Sequence, residues 1–263
     1  MNISEGQINF QNLNLESEFP VAHVQAFLLN QNEYFVLKHS LFKTVNGGET
    51  FELVVNQGPN RIFGVHFFDI DTGFVTHAGR LFKTIDGGES WVEVVQVNTL
   101  SKLFFVNNSI GFLYGGSTNG PIAGGDVLSS GGVLKTTDGG QTWDDLNLSV
   151  SEINVLYFVD VNTGYFATSA EDEIYKTTDG GTTWDLVSNE VEGFINGMVF
   201  LDVNNGFVIT HEGKIYRTNN GGTNWSVDYE TTNGLNLSSI AKTSDGKIFV
   251  VGDDGLMLKR DEN

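Results

Sequence analysis

An all-β chain, folded as a six-bladed β-propeller of four-stranded antiparallel blades, is what this sequence predicts, on three observations. Thirty-two Gly against three Pro, among many Val, Ile, Phe and Thr, favour short strands joined by tight turns. No long window combines helical periodicity with capping residues. The third observation is repetition: LFKTVNGGETF (41–51), LFKTIDGGESW (81–91), VLKTTDGGQTW (133–143), IYKTTDGGTTW (174–184) and IYRTNNGGTNW (215–225) are copies of one segment. Its basic residue falls at Lys43, Lys83, Lys135, Lys176 and Arg217, with Lys259 as a sixth, at spacings of 40, 52, 41, 41 and 42. A period of roughly 40 to 45 residues rich in short strands marks propeller blades.

The blade assembles in chain order. A second recurring stretch precedes each copy: FFDIDTGFV (67–75), FVDVNTGYF (158–166) and FLDVNNGFV (200–208), with looser versions FLLNQNEYFV (27–36) and FFVNNSIGFL (104–113). An inner strand therefore ends in Phe, a turn built on Asp and Gly follows, and a second strand opens with Phe or Tyr. The third strand reads apolar, aromatic, Lys, Thr. After the Gly-Gly turn a fourth begins at Trp91, Trp143, Trp184, Trp225 or, in the first blade, Phe51. A Gly-Gly pair between Asp and Trp admits three readings, a ligand cradle, a metal loop or a turn, and its repetition selects the turn. Asp86, Asp138 and Asp179, or the amides of Asn46 and Asn220, accept from backbone N–H groups two or three residues on, and the glycines supply φ values that other residues resist. The Trp then covers the blade's apolar face.

The blades run over 16–56, 57–97, 98–149, 150–189, 190–231 and 232–260, one domain over 1–263. The last lacks the Gly-Gly turn and its outer strand. In GQINFQNL (6–13), Phe10 and Leu13 are placed as Trp91 and Val94 are in their blade. Residues 3–15 are thus expected to complete the sixth blade and remove its exposed edge.

Charge and composition exclude several classes. At a formal charge of −19, most of the surface repels nucleic acid and anionic membrane. No run of 18 apolar residues is present for membrane insertion, and MNISEGQINF lacks the basic and apolar regions of a signal peptide. The expectation is a soluble monomer, with cytosolic, secreted and periplasmic locations all open. Zero Cys rules out disulfides and thiolate metal sites.

Thr-x-Asp/Asn-x-Gly-x-x-Trp/Phe, complete at Thr84, Asp86, Gly88 and Trp91, resembles the Asp-box of the bacterial neuraminidase repeat. Its Lys-Thr-x-Asp-Gly-Gly form, with the Asp-x-Asn-x-Gly turn upstream, most resembles the photosystem II stability/assembly factor-like propellers over nearly the whole chain. That resemblance implies a propeller that docks another protein or an assembly intermediate. In Asp-box enzymes it implies catalysis on the rim away from the boxes.

Strand order puts the boxes and the first turns (Asp69, Asp160, Asp202) on one rim, and the linkers and second hairpin turns on the other. On that second rim stand Arg61, His77, Arg80 and His211. The long 52-residue spacing adds an insertion there, GGSTNGPIAGGDVLSSGG (115–132), carrying Ile122 and Asp126 beside Tyr114. No Gly-Lys-Ser/Thr follows its glycines, so it is no phosphate loop. Metal ligation needs several convergent donors, and no EF-hand pattern is present; no metal or cofactor is expected. The sialidase likeness implies three arginines on the substrate carboxylate, yet the chain holds four Arg, of which Arg217 fills the Lys slot and Arg260 lies at the C-terminus. Two cannot form the triad. Other glycosidases need only paired carboxylates, of which 33 acidic residues give no specific sign. The reading is a non-catalytic, protein-binding scaffold; the alternative is a glycan-binding or glycoside hydrolase-like propeller. Deleting 117–130 is expected to leave the thermal melting curve nearly unchanged while weakening partner capture; loss of the cooperative transition would make the insertion structural.

Overall fold

The computed structural model describes residues 25–30, 32–37, 40–55, 62–77, 79–97, 100–116, 132–148, 150, 152–169, 173–243 and 246–260. Residues 3–15, Arg61, Ile122 and Asp126 lie outside them. The strands form six antiparallel sheets. The first is β1 (Gln25–Leu28), β2 (Tyr34–Leu37), β3 (Leu41–Thr44) and β4 (Glu52–Val55), and the second β5 (Ile62–Phe67), β6 (Gly73–His77), β7 (Arg80–Thr84) and β8 (Val92–Gln96). The third is β9 (Leu100–Phe105), β10 (Gly111–Gly115), β11 (Gly132–Thr136) and β12 (Asp144–Asp145). The fourth is β13 (Ile153–Phe158), β14 (Gly164–Thr168), β15 (Ile174–Thr177) and β16 (Asp185–Ser188), and the fifth β17 (Ile195–Phe200), β18 (Gly206–Thr210), β19 (Lys214–Thr218) and β20 (Ser226–Glu230). Among the described residues the sixth has three strands, β21 (Leu237–Lys242), β22 (Ile248–Gly252) and β23 (Met257–Arg260). Each sheet keeps its strands in chain order, as the repeat predicts. The chain divides into two compact units between Leu103 and Phe104.

Within each unit, one aromatic device joins successive sheets. The Phe ending a first strand lies over the Gly that opens the second. A Cβ on Gly73, Gly111, Gly164 or Gly206 would fall 2.3, 2.4, 2.6 or 2.6 Å from the ring of Phe67, Phe105, Phe158 or Phe200. Only glycine leaves room. The same Phe also receives an aromatic ring from the second strand of the preceding sheet: Phe35 stacks on Phe67 at 3.6 Å, Phe112 on Phe158 at 4.3 Å and Tyr165 on Phe200 at 4.0 Å. Its own sheet's Trp then meets it edge-on, Trp91 on Phe67 at 6.3 Å, Trp184 on Phe158 at 5.8 Å and Trp225 on Phe200 at 6.1 Å. Such pairs contribute about 0.5–1.5 kcal/mol each beyond burial. The Gly-aromatic dipeptide of the first turn is therefore a packing requirement as much as a turn signal.

The repeated Lys is a second link between sheets. Lys43, Lys135 and Lys176 each donate through Nζ to the carbonyl of the first box glycine in the next sheet, Gly87 at 3.3 Å, Gly180 at 2.6 Å and Gly221 at 3.3 Å. Lys135 and Lys176 also lie over the aromatic rings of Phe112 and Tyr165, at 5.9 and 5.2 Å. The linkage changes at the sixth sheet, which has no box. Arg217, in the Lys position of the fifth, lies 5.9 Å from the ring of Phe207, and Arg260 lies 5.0 Å from the same ring. The terminal Phe is itself replaced there by Lys242, whose Nζ donates to Phe200 O at 2.8 Å.

Two substitutions test these links. Gly164→Ala is expected to cost about 1–3 kcal/mol through overpacking against Phe158, read as a lower urea midpoint at unchanged m-value. Lys135→Met, which keeps the apolar stem and removes a charge-assisted hydrogen bond, is expected to cost about 1.5–3 kcal/mol; an unchanged midpoint would show that the link contributes nothing.

Candidate functional site

The box residues are absorbed by their own turns. The box threonines, Thr44, Thr84, Thr136, Thr177 and Thr218, are 1–2% exposed. Each Oγ1 accepts from the second glycine's N–H at 2.9–3.0 Å and donates to the Asp or Asn side chain two residues on, at 2.7–3.0 Å. The same carboxylate or amide oxygen accepts from the N–H four residues ahead, that of Thr50, Ser90, Thr142, Thr183 or Asn224, at 2.9–3.1 Å. Asn46 and Asn220 thus do what Asp86, Asp138 and Asp179 do. Trp91, Trp184 and Trp225 donate through Nε1 to the second glycine's carbonyl at 3.0–3.1 Å, whereas Trp143 Nε1 is buried without a partner. Both glycines of every box have positive φ, the region in which a side chain is strained.

The first turns are occupied in the same way. Asp69, Asp160 and Asp202 each accept two backbone N–H bonds at 2.6–2.9 Å, and Asn30 and Asn107 do so in the looser copies. The first box glycine then donates its N–H back to the first turn of its own sheet, Gly87 to Asp71, Gly180 to Asn162 and Gly221 to Asn204, at 2.8–2.9 Å. Carboxylates on this rim hold turns together. Hydrogen bonds from the Ser90 side chain and backbone, with Thr84, pull the Asp86 carboxyl down to about 2. Those from Thr142 and Thr183, with the backbone and box threonine of each turn, hold Asp138 and Asp179 well below the usual carboxylate range.

On the hairpin side, His77 and Arg80 face each other as the closing pair of β6 and β7. Arg80 is exposed and its guanidinium pairs with Glu93 at 2.8 Å, while His77 is half-buried with Nδ1 unpartnered. His211, in the other unit, is exposed just beyond β18, its N–H on Phe194 O at 2.8 Å. Tyr114, expected beside the insertion as a surface aromatic, is buried at 8% exposure among Phe112, Val133, Ile153 and Leu156. Burial pushes its hydroxyl up to about 12 despite a hydrogen bond with the Leu156 backbone. It is core because β10 is buried on both faces.

In the second unit the first strands β9, β13, β17 and β21 line a cavity of about 340 Å³. The residue preceding each terminal Phe or its replacement is Phe104, Tyr157, Val199 and Ala241 in turn, and all four line it. Phe104 and Tyr157 bring two aromatic rings to it, centroids 5.9 Å apart, and Val199 and Ala241 bring smaller side chains. Lys242 and Asn196 also border it. Asn196 donates its amide N–H groups to Asn236 Oδ1 at 2.9 Å and Leu237 O at 2.8 Å. In the first unit the residue preceding the terminal Phe67 is His66, whose imidazole burial pushes down to about 4. The decrease in side-chain size was in the sequence, but its meaning depends on these positions facing one space.

The family model described as photosynthesis system II assembly factor YCF48 matches residues 44–198 and, in a second overlapping match, 105–260. The chain belongs to the YCF48 family. A solved structure titled "YCF48 bound to D1 peptide" is similar at 17% identity with a TM-score of 0.66, over 89% of this chain and 76% of that one. YCF48 from Cyanidioschyzon merolae is similar at 16% and 0.53, over 90% and 93%. The Niastella koreensis GH74 enzyme is similar at 16% and 0.68, over 91% of this chain but 44% of the enzyme. At these identities the structural likeness shows the fold, a β-propeller, here of six blades. No curated protein matches the chain. Among the described residues of this YCF48 family member, no helix is long and apolar enough to cross a membrane, and no three His, Asp or Glu converge as metal ligands.

The box carboxylates make stability pH-dependent with a defined sign. Their folded pKa values lie below the unfolded value of about 3.9, so their contribution is complete above that value and drains away as pH falls toward 2. The melting temperature is therefore expected to drop across roughly pH 4 to 2, and Asp138→Asn to flatten part of that slope, since Asn46 and Asn220 show that the turn accepts an amide. A slope unchanged by the substitution would refute the assignment.

Proposed function

We propose that this chain is a non-catalytic propeller that docks another protein, in the manner of an assembly-factor scaffold. The observation that carries the reading is the match of the assembly-factor family across residues 44–260. A structural relative carrying a peptide supports it. So does the use already made of the groups that a sugar enzyme would need. The box carboxylates are engaged within their turns, and Trp91, Trp143, Trp184 and Trp225 lie edge-on against Phe67, Phe105, Phe158 and Phe200 instead of presenting open platforms. We assign docking to hairpin-side residues within a unit, either Arg61, His77 and Arg80 in the first or His211 and the insertion with Ile122 and Asp126 in the second.

The test is affinity capture from lysate of the source cells by the immobilised full chain, read by mass spectrometry, beside hydrolysis assays on xyloglucan and aryl glycosides. One protein retained saturably, with affinity lowered roughly five-fold or more by Arg80→Glu or by His211→Glu, is the expected result, corresponding to about 1 kcal/mol at a contributing contact. Release of reducing sugar by the wild-type chain would instead establish the glycosidase alternative.

A further inference from the structure

The cavity of the second unit has a chemistry that neither the repeat nor the docking reading accounts for. Its volume of about 340 Å³ lies at the lower end of the range of small-molecule clefts. Phe104, Tyr157, Val199, Ile240 and Ala241 make most of its wall apolar, and among the described residues Lys242 is the only charged one that lines it. Where other sheets carry Phe67, Phe105, Phe158 and Phe200 at the end of the first strand, the sixth carries this lysine, next to the smallest member of the tier, Ala241. The Lys242 side chain is exposed and gives one hydrogen bond to Phe200 O. Its charge also acts on the Asp202 carboxylate, which it helps to hold down; an ammonium has three donors, of which Phe200 O takes one, leaving N–H groups for a further acceptor. Its surroundings favour an anion of a restricted kind. A chain of net charge −19 repels anions over most of its surface, so one that binds here must gain from apolar contact as well as from the ammonium.

We propose that this cavity binds a carboxylate carried on an apolar body of about one aromatic ring, the carboxylate on Lys242 and the body against Phe104, Tyr157, Val199 and Ala241. Two sources supply that chemistry: a free small monocarboxylic acid, or the carboxyl end of a peptide with an apolar last residue. The site is independent of the hairpin-side contacts, so capture of a protein partner neither supports nor weakens it.

Calorimetric titration of the full chain tests it with 3-phenylpropionate and its uncharged amide, and with N-acetyl-glycyl-phenylalanine bearing a free or an amidated carboxyl. The expected result is saturable binding of at least one acid, preferred over its amide by about tenfold, as for a charge-assisted hydrogen bond. Lys242→Met should level acid and amide, and Ala241→Phe, which fills the cavity without touching the charge, should abolish binding of both. Tighter binding of the free acid identifies a small-molecule site; tighter binding of the dipeptide identifies a chain-end site. The proposal is overturned if neither acid binds the wild-type chain, if acid and amide bind it equally, or if Ala241→Phe binds as wild type does. The acid-against-amide comparison on the wild-type chain holds even if a variant fails to fold.

Discussion

The contact on which the sheets of each unit depend is a phenyl ring laid on a glycine. Phe67, Phe158 and Phe200 each have three partners at once: a glycine of their own sheet, a stacked ring from the preceding sheet and the edge of their own tryptophan. One ring therefore joins two sheets and closes the outer strand over the inner one. A repeat protein gains stability mainly from such nearest-neighbour interfaces, because no repeat buries its apolar face alone. The glycine is the strict element, since any side chain there would occupy the ring's volume.

With the aromatic packing in place, the polar part of the repeat becomes intelligible as a single hydrogen-bonded strip. Box threonine, first-turn carbonyl and the lysine from the preceding sheet converge on the two glycines of the box, while the box carboxylate holds the threonine hydroxyl and the far end of the turn. The described box and first-turn carboxylates, which make this rim look like a metal site, are hydrogen-bonded within their turns. Chemistry available to a ligand must therefore come from places where the repeat is broken. The sixth sheet is one such place, with Lys242 in the phenylalanine position and Arg217 and Arg260 covering Phe207. The insertion after β10 is another.

A scaffold of this kind separates stability from function, and a fold shared with GH74 enzymes assigns no chemistry by itself. What differs among the blades carries the information. The row Phe104, Tyr157, Val199, Ala241 and the replacement of a packing aromatic by a lysine change nothing in the turn chemistry, yet they open a space and place a charge beside it. Arg80, by contrast, is half of an exposed pair with Glu93, which adds little stability and leaves both partners accessible.

The amino-acid sequence alone determined the blade: its length, its four strands, the box turn and the slot for each tryptophan. All of these are local, set by turn residues and by alternation along a strand, and they repeat, so one copy interprets the others. Only the tertiary structure decided what the recurring lysine is for, because its acceptor is a carbonyl some 45 residues away, as Lys135 with Gly180 shows. Only the tertiary structure buried Tyr114, and only it turned four positions spread over 104–241 into one cavity wall. Contacts between sheets depend on how neighbouring strands face each other, and that relation is written in no single stretch of chain.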